Sequence, residues 1–313
     1  MAGFVLRRLG FAVLTLLAVL TLVFFVVRIL PGDPAMVMLG DQASAASIAA
    51  LRQRLGLDQP LTAQYAQFML GALQGDWGRS LVTGRPVLGE VLNVLPATLE
   101  LTAAALVLGV ALGLPVGVWA AVNRNRIPDY LTRIVSLIGL SAPAFVSGIV
   151  LLIVFAIVLN WFPVISGGQA TTLGGRLREL ALPALNLALI MAAYVVRVTR
   201  SAMLEVLSQD YVRTAEAKGV PGRVVVWRHA LRNCLIPVVT VVGLYLGILI
   251  GNSVLTEIVF NRPGLGKLIV GALAQRDYAM LQGMMVIYTL IVVLVNLATD
   301  LVYGLVDPRV QFR

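Results

Sequence analysis

The sequence predicts an all-α integral membrane protein with six transmembrane helices and both termini cytoplasmic. Three observations carry that prediction. Hydrophobic residues make up 59% of the 313 and charged residues 12%, with a mean hydropathy of +0.92; a soluble domain carries about 25% charge. Apolar runs near 20 residues recur at about 9–30, 96–122, 134–160, 182–200, 235–259 and 283–305. Each is long enough to cross a ~30 Å hydrocarbon core as a helix. Finally, Lys and Arg are unevenly placed. With the N-terminus inside, the segments 1–8, 123–133, 201–234 and 306–313 hold 12 basic residues in 61 positions, and 31–95, 161–181 and 260–282 hold 9 in 109. Basic residues concentrate on cytoplasmic loops, and the short NRNR turn (Asn123–Arg126) and the 201–234 segment carry most weight. The net charge of +9 is this cytoplasmic surplus facing membrane lipid, and calls for no nucleic acid.

The first run follows Arg7 and Arg8. It exceeds the roughly 7–15-residue core of a signal peptide, and PGDPAM follows it instead of a small-residue cleavage site, so it is a retained helix. Residues 31–95 form an amphipathic, extracytoplasmic cap, dividing the chain into 1–95 and a five-helix core, 96–313. Within the cap, LTAQYAQFMLGALQG sets Tyr65, Phe68, Met69, Ala72 and Leu73 on one helical face and stops at Gly75. SAASIAALRQRLG reads as a short helix capped by Ser44 or Ser47.

In the second span Gly109, Gly113 and Gly117 recur every four residues, as do Gly243, Gly247 and Gly251 in the fifth. Small residues at this spacing let helix backbones approach closely. They serve packing within one subunit, a subunit interface, or a substrate path. Pro115 and Pro143 predict kinks.

Several chemistries are disfavoured. An ion-coupled secondary carrier usually keeps a polar or acidic group near the bilayer midplane. Here Glu100, Glu257, Asp300, Arg28, Arg133 and Arg197 all fall toward span ends. In GLSAP (Gly139–Pro143), Ser141 would need a base within reach to act as a nucleophile; the sole histidine, His229, lies in the predicted cytoplasmic segment, so Ser141 is a packing or helix-bonding residue. No HExxH is present, and the single Cys234 makes neither a disulfide nor a clustered metal site. NRPGLGKL (Asn261–Leu268) lacks the spacing and the Ser/Thr of a phosphate-binding loop. The chain is therefore expected to be no enzyme and to bind no cofactor itself, so ATP could act only through another polypeptide.

The segment 201–234 is the polar exception. It is predicted as two helices with a hinge: Met203, Leu204, Val206, Leu207 and Tyr211 make apolar contacts, Gly219 closes the first helix in a left-handed conformation, and Pro221 opens the next at its first position. Arg228 and Arg232 share a face there. A small-residue helix end of this kind suits docking in a partner's cleft; an ordinary interfacial helix carrying positive-inside charge is the alternative.

YVRTAEAKG (Tyr211–Gly219), RHALRN (Arg228–Asn233) and LIP (Leu235–Pro237) resemble the ATPase-coupling loop of permease subunits of ABC importers, specifically the dipeptide/oligopeptide/nickel group. LPGDPA (Leu30–Ala35), LGLDQPL (Leu55–Leu61), GDWGRSL (Gly75–Leu81), LPATLEL (Leu95–Leu101) and EIVFNRPGLGKL (Glu257–Leu268) look like the first-type permease subunit of that group, so the resemblance covers nearly the whole chain. It implies a type I ABC importer permease architecture, a multi-pass pore subunit of a bacterial inner membrane. The implied partners are a second homologous permease, two cytoplasmic ATPase subunits that bind ATP and Mg, and an extracytoplasmic solute-binding protein. It implies a coupling role for Tyr211, Arg213, Thr214, Ala215, Glu216, Ala217, Lys218 and Gly219. One departure stands out: Arg213-Thr214-Ala215 occupies the place of the broader family's Glu-Ala-Ala, with Glu216 the nearby candidate for a substitute charge.

Overall fold

A computed structural model describes residues 2–29, 34–40, 43–54, 56–168 and 170–306. The regular elements among them are helical, apart from one isolated bridge between Arg79 and Pro86. They are α1 (Ala2–Ile29), α2 (Pro34–Leu39), α3 (Ala45–Arg54), α4 (Leu61–Gln74), α5 (Val87–Val122), α6 (Ile127–Ser141), α7 (Ala144–Val158), α8 (Leu173–Leu207), α9 (Asp210–Ala217), α10 (Gly222–Val259), α11 (Leu265–Ala274) and α12 (Tyr278–Val306). The last turns of α7 and residues 225–230 of α10 are wound as π-helix. Most of LPGDPA, the first residue of LGLDQPL and the predicted cytoplasmic C-terminus beyond residue 306 lie outside the described residues.

Five described helices are long and apolar enough to cross a membrane: Leu6–Val26 within α1, all of α5, α8 and α10, and Tyr278–Thr299 within α12. A sixth span exists only if α6 and α7 count as one, and they meet at 106°. The expected third span, 134–160, is thus bent sharply where a kink was expected at Pro143. The cause is Pro143. A residue before proline is held out of the helical region, and Ala142 is extended (φ −77°, ψ 126°), its N–H closing α6 on the Ile138 carbonyl. Pro115, by contrast, lies inside α5 without ending it. The long helices also overrun their predicted spans, because the polar residues flanking each apolar run continue the same hydrogen-bonded ladder.

By internal contacts the chain forms two compact units. One comprises Ala2–Pro96 with Gly264–Leu294; the other comprises Ala97–Pro263 with the residues from Val295. Residues 264–294, which follow the expected division at residue 95, group by contacts with the N-terminal part.

In the first unit, Leu20, Val23, Val87, Val91, Leu281 and Met284 build a buried core. Phe24 stacks edge-on with Tyr65 and lies beside Phe68, fastening α4 to α1. Phe68, Met69 and Ala72 face that core, but Leu73 is 81% exposed, so it departs from the expected apolar face. Gly75 ends α4 at φ +77°, with Asp76 N–H bonding Gly71 and Gly75 N–H bonding Ala72. The Ser44 hydroxyl accepts the Ser47 N–H at 3.2 Å and is the cap of α3. Asp277 caps α12 through Met280 N–H and also accepts Ser80 Oγ–H and Leu81 N–H, which pins the GDWGRSL turn.

In the second unit, α8 is the central element. Its apolar face (Leu187, Met191, Val195, Met203) packs with Leu101 and Ala105 of α5 and with Cys234, Val238 and Leu249 of α10. Thr172 caps it by accepting the Gly175 N–H. Pro183 and Pro237 sit inside α8 and α10, as membrane helices tolerate when neighbours satisfy the freed backbone groups.

Candidate functional site

The polar loop between α8 and α10 is built differently from the expected pair of hinged helices. Helix α8 continues to Leu207 and α10 starts at Gly222, so the ends of two long helices flank a short one, α9. Ser208 turns the chain, its hydroxyl donating to the Glu205 carbonyl at 2.7 Å. Gln209 is extended ahead of α9, whose first residue, Asp210, places a carboxylate at the positive end of the helix dipole. Val212 is 1% exposed and anchors the helix. The Tyr211 hydroxyl accepts Asn233 Nδ2–H at 2.7 Å, linking α9 to α10.

The C-terminal end of α9 is a Schellman closure: Val220 N–H bonds the Ala215 carbonyl at 3.2 Å and Gly219 N–H bonds Glu216 at 2.9 Å. This requires a left-handed residue, and Gly219 has φ +75°. Pro221 is the residue before α10, with ψ 134°, so it stands one place earlier than expected; helix ends shift by a residue readily. Around this anchored backbone, Arg213, Thr214, Glu216, Ala217, Lys218 and Gly219 are exposed and Ala215 is half-buried. Arg213 lies 3.7 Å from the Asp210 carboxylate, both on the surface. Arg228, inside the π-wound turn at 225–230, and Arg232 beyond it are both exposed.

The glycine positions have different surroundings. A Cβ on Gly109 would stand 2.6 Å from Met191, on Gly113 2.7 Å from Val195, and on Gly117 2.6 Å from Thr199. This stripe lies against α8 of the same chain. Gly243 meets Thr299 of α12. Gly247 is half-buried and Gly251 exposed. Ser141 is exposed at the α6–α7 break.

Polar residues that periodicity did not single out make the tightest contacts. Asn186, fully buried in mid-α8, donates to the Ala144 carbonyl at 3.0 Å and Thr256 Oγ1 at 3.1 Å, and accepts Ser147 Oγ–H at 2.7 Å. It holds α7 and α10 against α8. Glu257, near a span end, is fully buried and accepts the Thr98 hydroxyl at 2.6 Å. Arg262 pairs with Glu100 at 2.7 Å. LPATLEL and EIVFNRPGLGKL are thus joined by two polar contacts; a charge and a hydroxyl at matching places in two separate motifs were the available signal. Asp129, also fully buried, holds Arg200 in a two-pronged pair, with the second bond at 2.8 Å. Among the described residues no group of three or more His, Cys, Asp or Glu could hold a metal ion.

Comparison with known proteins agrees with this architecture. Residues 113–312 match the family described as binding-protein-dependent transport system inner membrane component, and residues 1–102 match its N-terminal companion. The glutathione transport system permease proteins GsiC of Salmonella typhimurium and of Escherichia coli are each 42% identical over 313 residues, covering 100% of both chains. A chain from an inward-facing structure of the MetNI methionine ABC transporter has a TM-score of 0.56 at 19% identity, covering 69% of this chain and 95% of that one. At that identity the likeness concerns the fold.

Proposed function

The chain belongs to the family of inner membrane components of binding-protein-dependent transport systems, and from that premise we propose that α9 is the element through which partner ATPases drive transport. The protein is a pore-forming, multi-pass permease subunit of an ABC importer in the bacterial inner membrane. In the proposed assembly α9 and both termini are cytoplasmic. Two ATPase subunits carry ATP and Mg and dock on α9 and on its counterpart in a second, similar permease. A solute-binding protein delivers cargo at the outer face, where residues 31–95 form a cap. The cargo class is a peptide or peptide-like solute, with a glutathione-like tripeptide favoured by the names of the 42% identical relatives.

The observation that carries the reading is the mounting of α9. Val212 and the Tyr211–Asn233 bond hold it between the ends of α8 and α10, while residues 213, 214 and 216–219 remain open to a partner. A push on α9 is then delivered to two helices that run the length of the core, which suits rigid-body alternating access. Asp210 and Glu216 flank the missing glutamate position at equal distances along the helix, and the Asp210 carboxylate lies 3.7 Å from Arg213. Gly109, Gly113 and Gly117 serve as a helix interface, as does Gly243. Ser141, Gly247 and Gly251 are candidates for the path or for contact with the second permease.

Uptake of labelled glutathione by cells holding the complete transporter tests the reading. It should survive a protonophore while ATP is maintained, and the ATPases should co-purify with the permease. Uptake that collapses with the proton gradient at constant ATP would instead identify an ion-coupled carrier.

A further inference from the structure

A cavity of about 490 Å³ opens between α6 and α8, within the ~300–1,000 Å³ typical of small-molecule sites. Its lining combines three arginines, Arg133, Arg197 and Arg200, with the apolar Leu137, Leu140 and Val196. Arg200 is committed to Asp129. Arg133 and Arg197 are exposed, and neither forms an ion pair among the described residues; Arg133 lies 5.8 Å from the Tyr130 ring centre. Asp129 attracts Arg133 at longer range as well as binding Arg200, so three arginines share one carboxylate and the cavity keeps a net positive charge beside its apolar residues.

We propose that this cavity binds the headgroup of an anionic phospholipid of the inner leaflet, with an acyl chain lying along Leu137 and Leu140. A dissolved anion would use the arginines and leave the apolar wall empty; an amphiphile uses both. The cavity also opens beside an apolar helix face: Leu131, Val135 and Ile138 of α6 are 55–66% exposed, suited to hydrocarbon. Basic pockets between helices on the cytoplasmic side attract anionic headgroups, and α6 starts directly after the NRNR turn. This inference rests on the proposed orientation, in which that turn is cytoplasmic.

The test is native mass spectrometry of the complete transporter, offered phosphatidylglycerol or phosphatidylcholine with identical acyl chains. Phosphatidylglycerol should be retained preferentially. Arg133→Gln and Arg197→Gln should each weaken retention by roughly fivefold, the effect of one charge near an anionic headgroup, and Arg197→Lys should keep most of it while showing that the site still folds. Equal retention of both lipids, or no change in the double Gln variant, would overturn the proposal. So would displacement by millimolar inorganic phosphate, which marks a free-anion site, or by glutathione, which marks a cargo site. Orientation is read separately, by labelling an Arg124→Cys variant with a membrane-impermeant maleimide in intact cells and inverted vesicles. Labelling only in inverted vesicles with no lipid preference sinks the lipid site alone; labelling in intact cells sinks the orientation, and the inner-leaflet site with it.

Discussion

Substitutions at Gly219 separate a backbone requirement from a steric one. The residue sits at φ +75°, and a Cβ built on it meets nothing within 4 Å. Any penalty inside this chain is therefore conformational. For an ordinary L-residue the left-handed region costs roughly 1–2 kcal/mol, more for a β-branched side chain and less for Asn, whose short polar side chain is tolerated there. A shift of that size changes the balance between the closed Schellman end and a frayed one by about 5–30-fold. It acts on the two bonds, Val220 to Ala215 and Gly219 to Glu216, that shape the exposed surface of α9. The expected order of damage is Gly219→Val, then Gly219→Ala, then Gly219→Asn, with membrane insertion retained in all three. The assay is ATP-dependent uptake by proteoliposomes holding the complete transporter, with ATPase co-purification measured in parallel. If damage instead follows side-chain volume, so that Asn is worse than Ala, the backbone reasoning is refuted and the glycine is needed for room against the partner. Full uptake and normal co-purification in Gly219→Val would remove α9 as the coupling element.

Two further predictions concern the core. Gly113→Ala should lower the thermal midpoint of the detergent-solubilised protein, because its Cβ would stand 2.7 Å from Val195 and overpacking costs about 1–3 kcal/mol; Gly89→Ala, with nothing within 4 Å, should leave the midpoint unchanged or slightly raised. Asp129→Asn should destabilise by about 3 kcal/mol through the charge left on Arg200, which is 20% exposed. Adding Arg200→Met should restore part of that loss, and a double variant no better than the single one would show that the ion pair is not what Asp129 supplies.

Much of the fold was legible because lipid imposes simple rules on sequence. A helix must satisfy its own backbone, so apolar length announced α1, α5, α8, α10 and α12, and Gly75 and Gly219 marked helix ends by a conformation few other residues adopt. Pro143 marked the bend in the third span but not its size: apolar content reports what is buried in lipid, whereas the 106° turn comes from one proline acting on the residue before it. Leu73 was misassigned since helical periodicity groups residues on a face without saying how wide the covered part is.

The candidate site divided in the same way. YVRTAEAKG and RHALRN could be recognised as separate pieces, because their residue types and spacing lie along the chain. That Tyr211 meets Asn233, that Thr98 and Glu100 meet Glu257 and Arg262, and that Asn186 ties three helices together are contacts between positions far apart in sequence. What the sequence by itself determined was class, membrane spans and helix ends, all consequences of local backbone chemistry and transfer from water. Which glycines face this chain's own α8, which charges are buried in pairs and which two arginines are left open beside the α6–α8 cavity were decided only by tertiary packing, since a side chain's partner is set by the element folded against it.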